Sequence, residues 1–169
     1  MKVGALDFAV AILAGVSCLF MLINVPVWAL FVGWTWYFVL GCTPDTIKKC
    51  IPPLITGALL AVLAFILIDI LSKTGIDSTF SLTSTIIAVV ITVFLLMLSL
   101  EIPQLNNSLV SFNAYSCFFV GYAAGTFLPI QGMPTLLNAI IWIAGANFIG
   151  VLFGWMSIKL SSLSKKTTE

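Results

Sequence analysis

The sequence predicts an all-α integral membrane protein of six transmembrane helices, with both termini cytoplasmic. Three observations predict it. First, only 8% of the 169 residues are charged while 61% are apolar; soluble domains carry roughly 25% charged residues, because a water-facing surface must be covered by something polar. Second, charge-free runs cover residues 8–44, 50–68, 78–100 and 102–158. A spanning helix needs roughly 20 apolar residues to cross about 30 Å of hydrocarbon, so the outer runs hold two spans each and the middle runs one each. Third, the lysines are unevenly distributed. With the amino terminus inside, Lys2, Lys48, Lys49, Lys159, Lys165 and Lys166 fall on the inner side and only Lys73 on the outer, as the positive-inside rule requires.

The first span is expected over Gly4–Ile23. Lys2 precedes it, and no small-residue cleavage site follows in a polar stretch, so the segment reads as a retained span rather than a signal peptide. Asp7 lies one turn in, at the interface. The second span, Val27–Gly41, is short, opens after Pro26 and carries Gly33 and Gly41. Proline before a helix wastes no hydrogen bond, since the first N–H groups lack partners in any case.

The third span is expected over Pro52–Leu71, with Asp69 one turn from its end, and the fourth over Phe80–Leu100, closed by Glu101. The fifth, Leu109–Leu128, follows Pro103 and the polar run Gln104–Ser108, in which Asn106, Asn107 or Ser108 is placed to cap it. A dip of this segment into the membrane beside an aqueous vestibule and an ordinary interfacial loop are both open readings. The sixth span, Thr135–Leu160, carries Asn138 and, near mid-depth, Asn147, with Gly145, Gly150 and Gly154 allowing close packing. One transmembrane domain therefore fills the chain, followed by a short cytoplasmic tail over 161–169.

The chain also reads as two inverted halves, about 1–78 and 79–160. A shift of 77 residues brings Asn24-Val25-Pro26 onto Glu101-Ile102-Pro103, and a shift of 81 brings Phe31, Phe38, Pro53 and Ala58 onto Phe112, Phe119, Pro134 and Ala139. Three spans are an odd number, so the second half enters from the opposite side. Such inverted repeats place a solute path at the seam between halves, marked by matched short or Gly/Pro-interrupted segments.

Both second spans carry an aromatic stripe on one helix face, Phe31, Trp34 and Phe38 in the first half and Phe112, Tyr115 and Phe119 in the second. Either the stripes form a narrow constriction or they pack helices together. The candidate pathway residues are accordingly Phe31, Gly33, Trp34, Phe38, Phe112, Tyr115, Phe119 and Asn147. Asn147 either contacts solute or bonds a neighbouring helix.

What the sequence lacks excludes other classes. It has no histidine, hence no Ser-His-Asp triad and no His-ligated metal. No phosphate-binding loop or basic nucleic-acid face occurs, so neither enzymatic activity nor a cofactor nor nucleic acid is expected. Cys18 and Cys117 lie inside spans and behave as small hydrophobes; Cys42 and Cys50 flank a cytosolic loop, where disulfides are rare.

The segment Val27–Gly41, with the pattern W-x-x-F-x-G-W-x-x-Y/F-F-x-x-G followed by a Lys-containing loop and a third span, resembles a family of small bacterial inner-membrane proteins, domain of unknown function 1097. The similarity runs over nearly the whole chain, and the span-two motif is its specific part. Phe31, Gly33, Trp34, Phe38 and Gly41 match it, whereas Cys42 stands where a second glycine is expected. The resemblance implies a bacterial inner membrane and six spans, and it carries no substrate.

These readings predict a small channel or transporter for an uncharged or weakly polar solute, assembled as a homo-oligomer in membrane lipid. Two rivals stand beside it. One is a substrate-capture subunit of a vitamin-type importer, for which the small-residue face Ala5-x-x-x-Ala9 is the motif. The other is an accessory membrane protein without transport of its own.

Overall fold

A computed structural model of the chain describes residues 3–78, 82–125 and 127–166. Every regular element among them is helical, and six helices follow one another. Helix α1, Ala5–Ser17, continues as a 3₁₀ stretch, Cys18–Ile23. Helix α2 is Val27–Val39, α3 is Pro44–Ser72, α4 is Thr83–Ser99 and α5 is Ser108–Ala124. Helix α6 is continuous over 135–166, and its α-helical parts Thr135–Ala139 and Gly145–Lys166 are joined by a π turn, Ile140–Ala144.

Three helices are long and apolar enough to cross a membrane, Ala5–Ile23, Pro44–Ser72 and Thr135–Leu163. The others are shorter, and α2, with 13 residues, spans only about 20 Å at 1.5 Å per residue. The surface is apolar. On α1 and α4 the buried positions are Ala9, Leu13 and Ser17 and Ser84, Ala88, Thr92 and Leu96, while Phe8, Ile12, Val90 and Phe94 face outward. Most of the inward groups are small or hydroxylated, Leu13 and Leu96 being the larger ones, and the outward ones are large hydrocarbon, as suits a lipid surround, which gives no incentive to hide a phenylalanine.

Packing follows the glycines. Helix α2 lies most closely against α6, and α3 against α5; α1 also leans on α6, and α4 on α3. A Cβ on Gly33 would strike the Asn147 carbonyl oxygen, and one on Gly150 the Leu30 carbonyl oxygen, so α2 and α6 meet backbone to backbone. Gly154 continues that contact, with its Cβ position 2.6 Å from Tyr37 Cβ. Gly150 and Gly154 form a G-x-x-x-G pair, the spacing that lets helices approach closely. Gly145 takes no part, having no neighbour within 4 Å. On the other side of the bundle, a Cβ on Gly57 of α3 would strike the Ser111 carbonyl oxygen of α5.

Several boundaries differ from the expected ones. The third helix starts at Pro44 instead of Pro52 and runs through Pro52 and Pro53. Pro44 occupies the first turn, where proline is preorganised. Thr43 and Thr46 stabilise that turn, their hydroxyls 3.2 Å apart. The fifth helix stops at Ala124, four residues before Leu128, because Gly125 takes a left-handed φ of 64°. The expected first residue of the fourth span, Phe80, lies outside the described residues, and α4 begins at Thr83.

Candidate functional site

Two cavities open into the bundle, one at each end of α5. The first, of about 700 Å³, is lined by Asn24–Trp28 and Phe31 on one side and by Gly125 and Phe127 on the other, with Cys18 and Met21 contributing from the 3₁₀ stretch. The second, of about 370 Å³, lies between Lys48, Lys49 and Pro52 at the start of α3 and Pro103, Gln104, Asn106 and Asn107 in the α4–α5 loop. Each is thus walled by the connection before a second helix (24–26 or 103–107) and by the chain just after the other second helix (125–127) or just inside the next one (48–52).

Local chemistry shapes both mouths. At the first, the 3₁₀ stretch ends on Asn24 with φ 54°, a left-handed conformation that Asn tolerates better than most residues. Pro26 then starts α2. At the second, the Asn107 side chain accepts a hydrogen bond from Val110 N–H at 3.2 Å, and so caps α5. Of the three candidate caps, Asn107 is the one used.

Between the cavities the bundle is closed. Trp36 of α2, fully buried, donates its indole N–H to Asn113 Oδ1 of α5 at 3.0 Å. Asn147 of α6 is also fully buried; its amide donates to the Ala29 carbonyl of α2 at 2.7 Å and lies 3.6 Å from Cys117 Sγ of α5. Asn147 therefore joins three helices at one point. Its Oδ1 has no hydrogen-bond partner, and the same holds for Trp34 Nε1, Trp142 Nε1, Ser111 Oγ and Asn138 Oδ1. A buried polar atom left unpaired costs about 1–3 kcal/mol, so these orphans mark α2, α5 and α6 as the polar part of the interior.

The predicted pathway residues occupy three different surroundings. Phe31 reaches the first cavity and stacks on Trp34, with ring centroids 5.9 Å apart. Trp34 is buried and meets Phe153 edge-on at 5.6 Å, while Phe38 is half-buried beside the core. The second stripe turns elsewhere. Tyr115 shares a hydrogen bond with Thr92 of α4 at 2.9 Å, Phe119 packs on Phe65 of α3 at 4.6 Å, and Phe112 is half-buried against the core. One stripe therefore meets α6, the other α3 and α4, and Trp36–Asn113 is a direct side-chain bond across the α2–α5 seam. Sequence reasoning missed that pair. Asn113 in the middle of an apolar helix was the available signal.

The charged residues stay at the ends. Asp7 accepts from Gly4 N–H at 2.7 Å, and Asp69 pairs with Lys73 at 2.6 Å. In the α3–α4 connection, Asp77 accepts from the Ser84 N–H and hydroxyl, both at 2.8 Å, which holds its carboxyl below the usual carboxylate range. No group of three or more Cys, Asp or Glu placed to hold a metal occurs among the described residues. Ala9 is buried in the bundle, so half of the Ala5-x-x-x-Ala9 face is already occupied.

The family described as "Protein of unknown function (DUF1097)" matches residues 8–162, and the chain belongs to that family. No curated protein matches the chain, and no solved structure does.

Proposed function

We propose that this family member is a six-span facilitator for a small uncharged or weakly polar solute, built from two inverted three-helix halves. The observation that carries the reading is the pair of cavities at opposite ends, similarly walled and separated by a sealed seam. An inverted repeat generates this arrangement, because each feature of one half recurs upside down in the other.

Helix partnering supports the reading. Exchanging the halves turns the α2–α6 contact into α5–α3 and the α1–α6 contact into α4–α3, and all four are the packing partners present. Burial supports it further. A shift of 81 carries buried Ala29, Leu30, Gly33, Trp34, Trp36 and Tyr37 onto buried Val110, Ser111, Ala114, Tyr115, Cys117 and Phe118. For the third helices the matching shift is 93, which carries Gly57, Ala61 and Ala64 onto Gly150, Gly154 and Ser157, all buried. The 81-residue pairing of Pro53 with Pro134 is therefore replaced, the extra residues falling between Phe118 and Gly150. For the first helices the shift is 79 instead of 77, carrying Ala9, Leu13 and Ser17 onto Ala88, Thr92 and Leu96.

In this reading both termini face the cytoplasm, the first cavity opens outward and the second inward. Trp36, Asn113 and Asn147 form the closed middle, and a solute crosses when that seam loosens. The orphaned Asn147 Oδ1 offers an acceptor to a solute hydroxyl or amide. The chain is placed in a bacterial inner membrane, as a homo-oligomer.

The test is solute flux in proteoliposomes, using stopped-flow light scattering with glycerol, urea and small amides. The expected result is flux well above protein-free vesicles for at least one solute, changed by Trp36→Ala and by Asn147→Ala. Vesicles that hold folded protein but stay silent across the panel would refute transport and leave the accessory reading.

A further inference from the structure

We infer that the second cavity is a binding site for a phosphate-bearing anion, through Lys48, Lys49, Gln104 and Asn106. This inference stands apart from the conduction reading, since it needs neither a path nor a moving seam.

The charged side chains that line the cavity have one sign. Lys48 and Lys49 both line the cavity, and the one ion pair among the described residues is Lys73–Asp69, so both ammonium groups stand without a carboxylate partner. The nearest acids along the chain, Asp45 and Glu101, are not among the lining residues. Two adjacent like charges repel, and an anion between them removes that penalty. The amino end of α5 supplies a third positive contribution. Its 17 residues sum to about half a positive charge at that end, and Asn106 and Asn107, which precede it, form part of the wall. Gln104 and Asn106 bring side-chain N–H donors.

Position then narrows the ligand class. Lys48 and Lys49 directly precede the charge-free run that starts at Cys50, and Gln104 follows Glu101 and Pro103. The cavity thus sits where apolar helix gives way to charge, the level of lipid headgroups. Basic pockets between helices on the cytoplasmic side suit phosphate headgroups. Several donors around two point charges match the several oxygens of a phosphate better than the two of a carboxylate. The phosphate comes either from an anionic phospholipid headgroup or from solution.

The experiment uses the full chain in detergent and has two arms. Native mass spectrometry compares retention of phosphatidylglycerol with that of phosphatidylcholine. Thermal unfolding compares inorganic phosphate with chloride at equal ionic strength. A preference of about tenfold for phosphatidylglycerol assigns the site to lipid, and a raised midpoint in phosphate assigns it to a soluble anion. In either case the combined Lys48→Gln and Lys49→Gln variant loses the effect, while Lys48→Arg with Lys49→Arg keeps it. If the glutamine variant fails to fold, Gln104→Leu with Asn106→Leu, which preserves both charges, weakens the same effect. A chain with no preference in either arm overturns the inference, and so does a preference that survives loss of the lysines or, where those variants do not fold, of Gln104 and Asn106.

Discussion

Replacing Gly33 with alanine tests whether backbone contact between α2 and α6 holds the bundle together. The added Cβ lands on the Asn147 carbonyl oxygen, with the carbonyl carbon 2.6 Å away and Asn147 Cα 2.9 Å away. Carbon atoms in comfortable contact sit about 3.5–4.0 Å apart, so the helices must separate by about 1 Å. Overpacking of this kind costs about 1–3 kcal/mol. The separation also stretches the 2.7 Å bond from Asn147 to the Ala29 carbonyl, one turn from Gly33; interhelical hydrogen bonds in membranes contribute about 0.6–2 kcal/mol. The expected loss is therefore about 2–5 kcal/mol, less up to ~1 kcal/mol regained from the better helix propensity of alanine. Equilibrium unfolding in mixed micelles, followed by fluorescence of the five tryptophans, measures it. Gly145→Ala is the control, because nothing lies within 4 Å of that position. If Gly33→Ala matches the wild type, or Gly145→Ala loses as much, the close-contact argument is wrong.

Other perturbations separate the remaining features. Asn147→Leu removes a donor in use and an acceptor without a partner, so stability is expected to stay within about 1 kcal/mol while solute flux falls; equal changes in both would leave Asn147 a packing residue. A double-mutant cycle on Trp36→Phe and Asn113→Ala is expected to give a coupling of about 0.5–1.5 kcal/mol in the same unfolding assay. Cys42 holds a left-handed φ of 58°, so Cys42→Gly is expected to stabilise the fold by about 1 kcal/mol, read as a raised unfolding midpoint. The lowered carboxyl of Asp77 contributes stability that is complete above the ordinary carboxylate value of about 4 and is lost as pH falls through the folded value. Asp77→Asn should therefore flatten the acid side of the melting-temperature profile.

The existence of the six helices was legible because charge cannot sit inside an apolar run, and Asp7, Asp69 and Glu101 all mark helix ends. The missing glycine of the span-two motif was legible too. Cys42 occupies the left-handed position that glycine takes without strain. The start of α3 was not legible, since three prolines at Pro44, Pro52 and Pro53 each resemble a first helical residue. The helix absorbs the later two near its own end, where the carbonyls they leave without an N–H donor, those of Lys48 and Lys49, belong to residues lining a cavity. The π turn Ile140–Ala144 was hidden for another reason. One extra residue per turn disturbs a 3.6-residue period too little to notice in a segment apolar on every side.

At the site, the matched interruptions at Pro26 and at Pro103–Ser108 did identify loops that wall the two cavities. The aromatic stripes were harder to interpret. Spacing puts Phe31, Trp34 and Phe38 on one face, but it does not say which neighbour that face meets. Helix pairing decides this, and it follows from the positions of Gly33, Gly57 and Gly150.

That pairing also dictates the order of assembly. Helices α1 and α2 are synthesised before α6, yet both pack chiefly on it. At about 5–20 residues per second, α2 waits on the order of 10 s for its partner, with its glycine-notched side bare. Helices α3, α4 and α5 can pair with one another as they are made, whereas α1 and α2 find their main partner only once α6 follows. Chains cut short before α6 leave α1 and α2 without their main partner, open to proteases that intact copies resist.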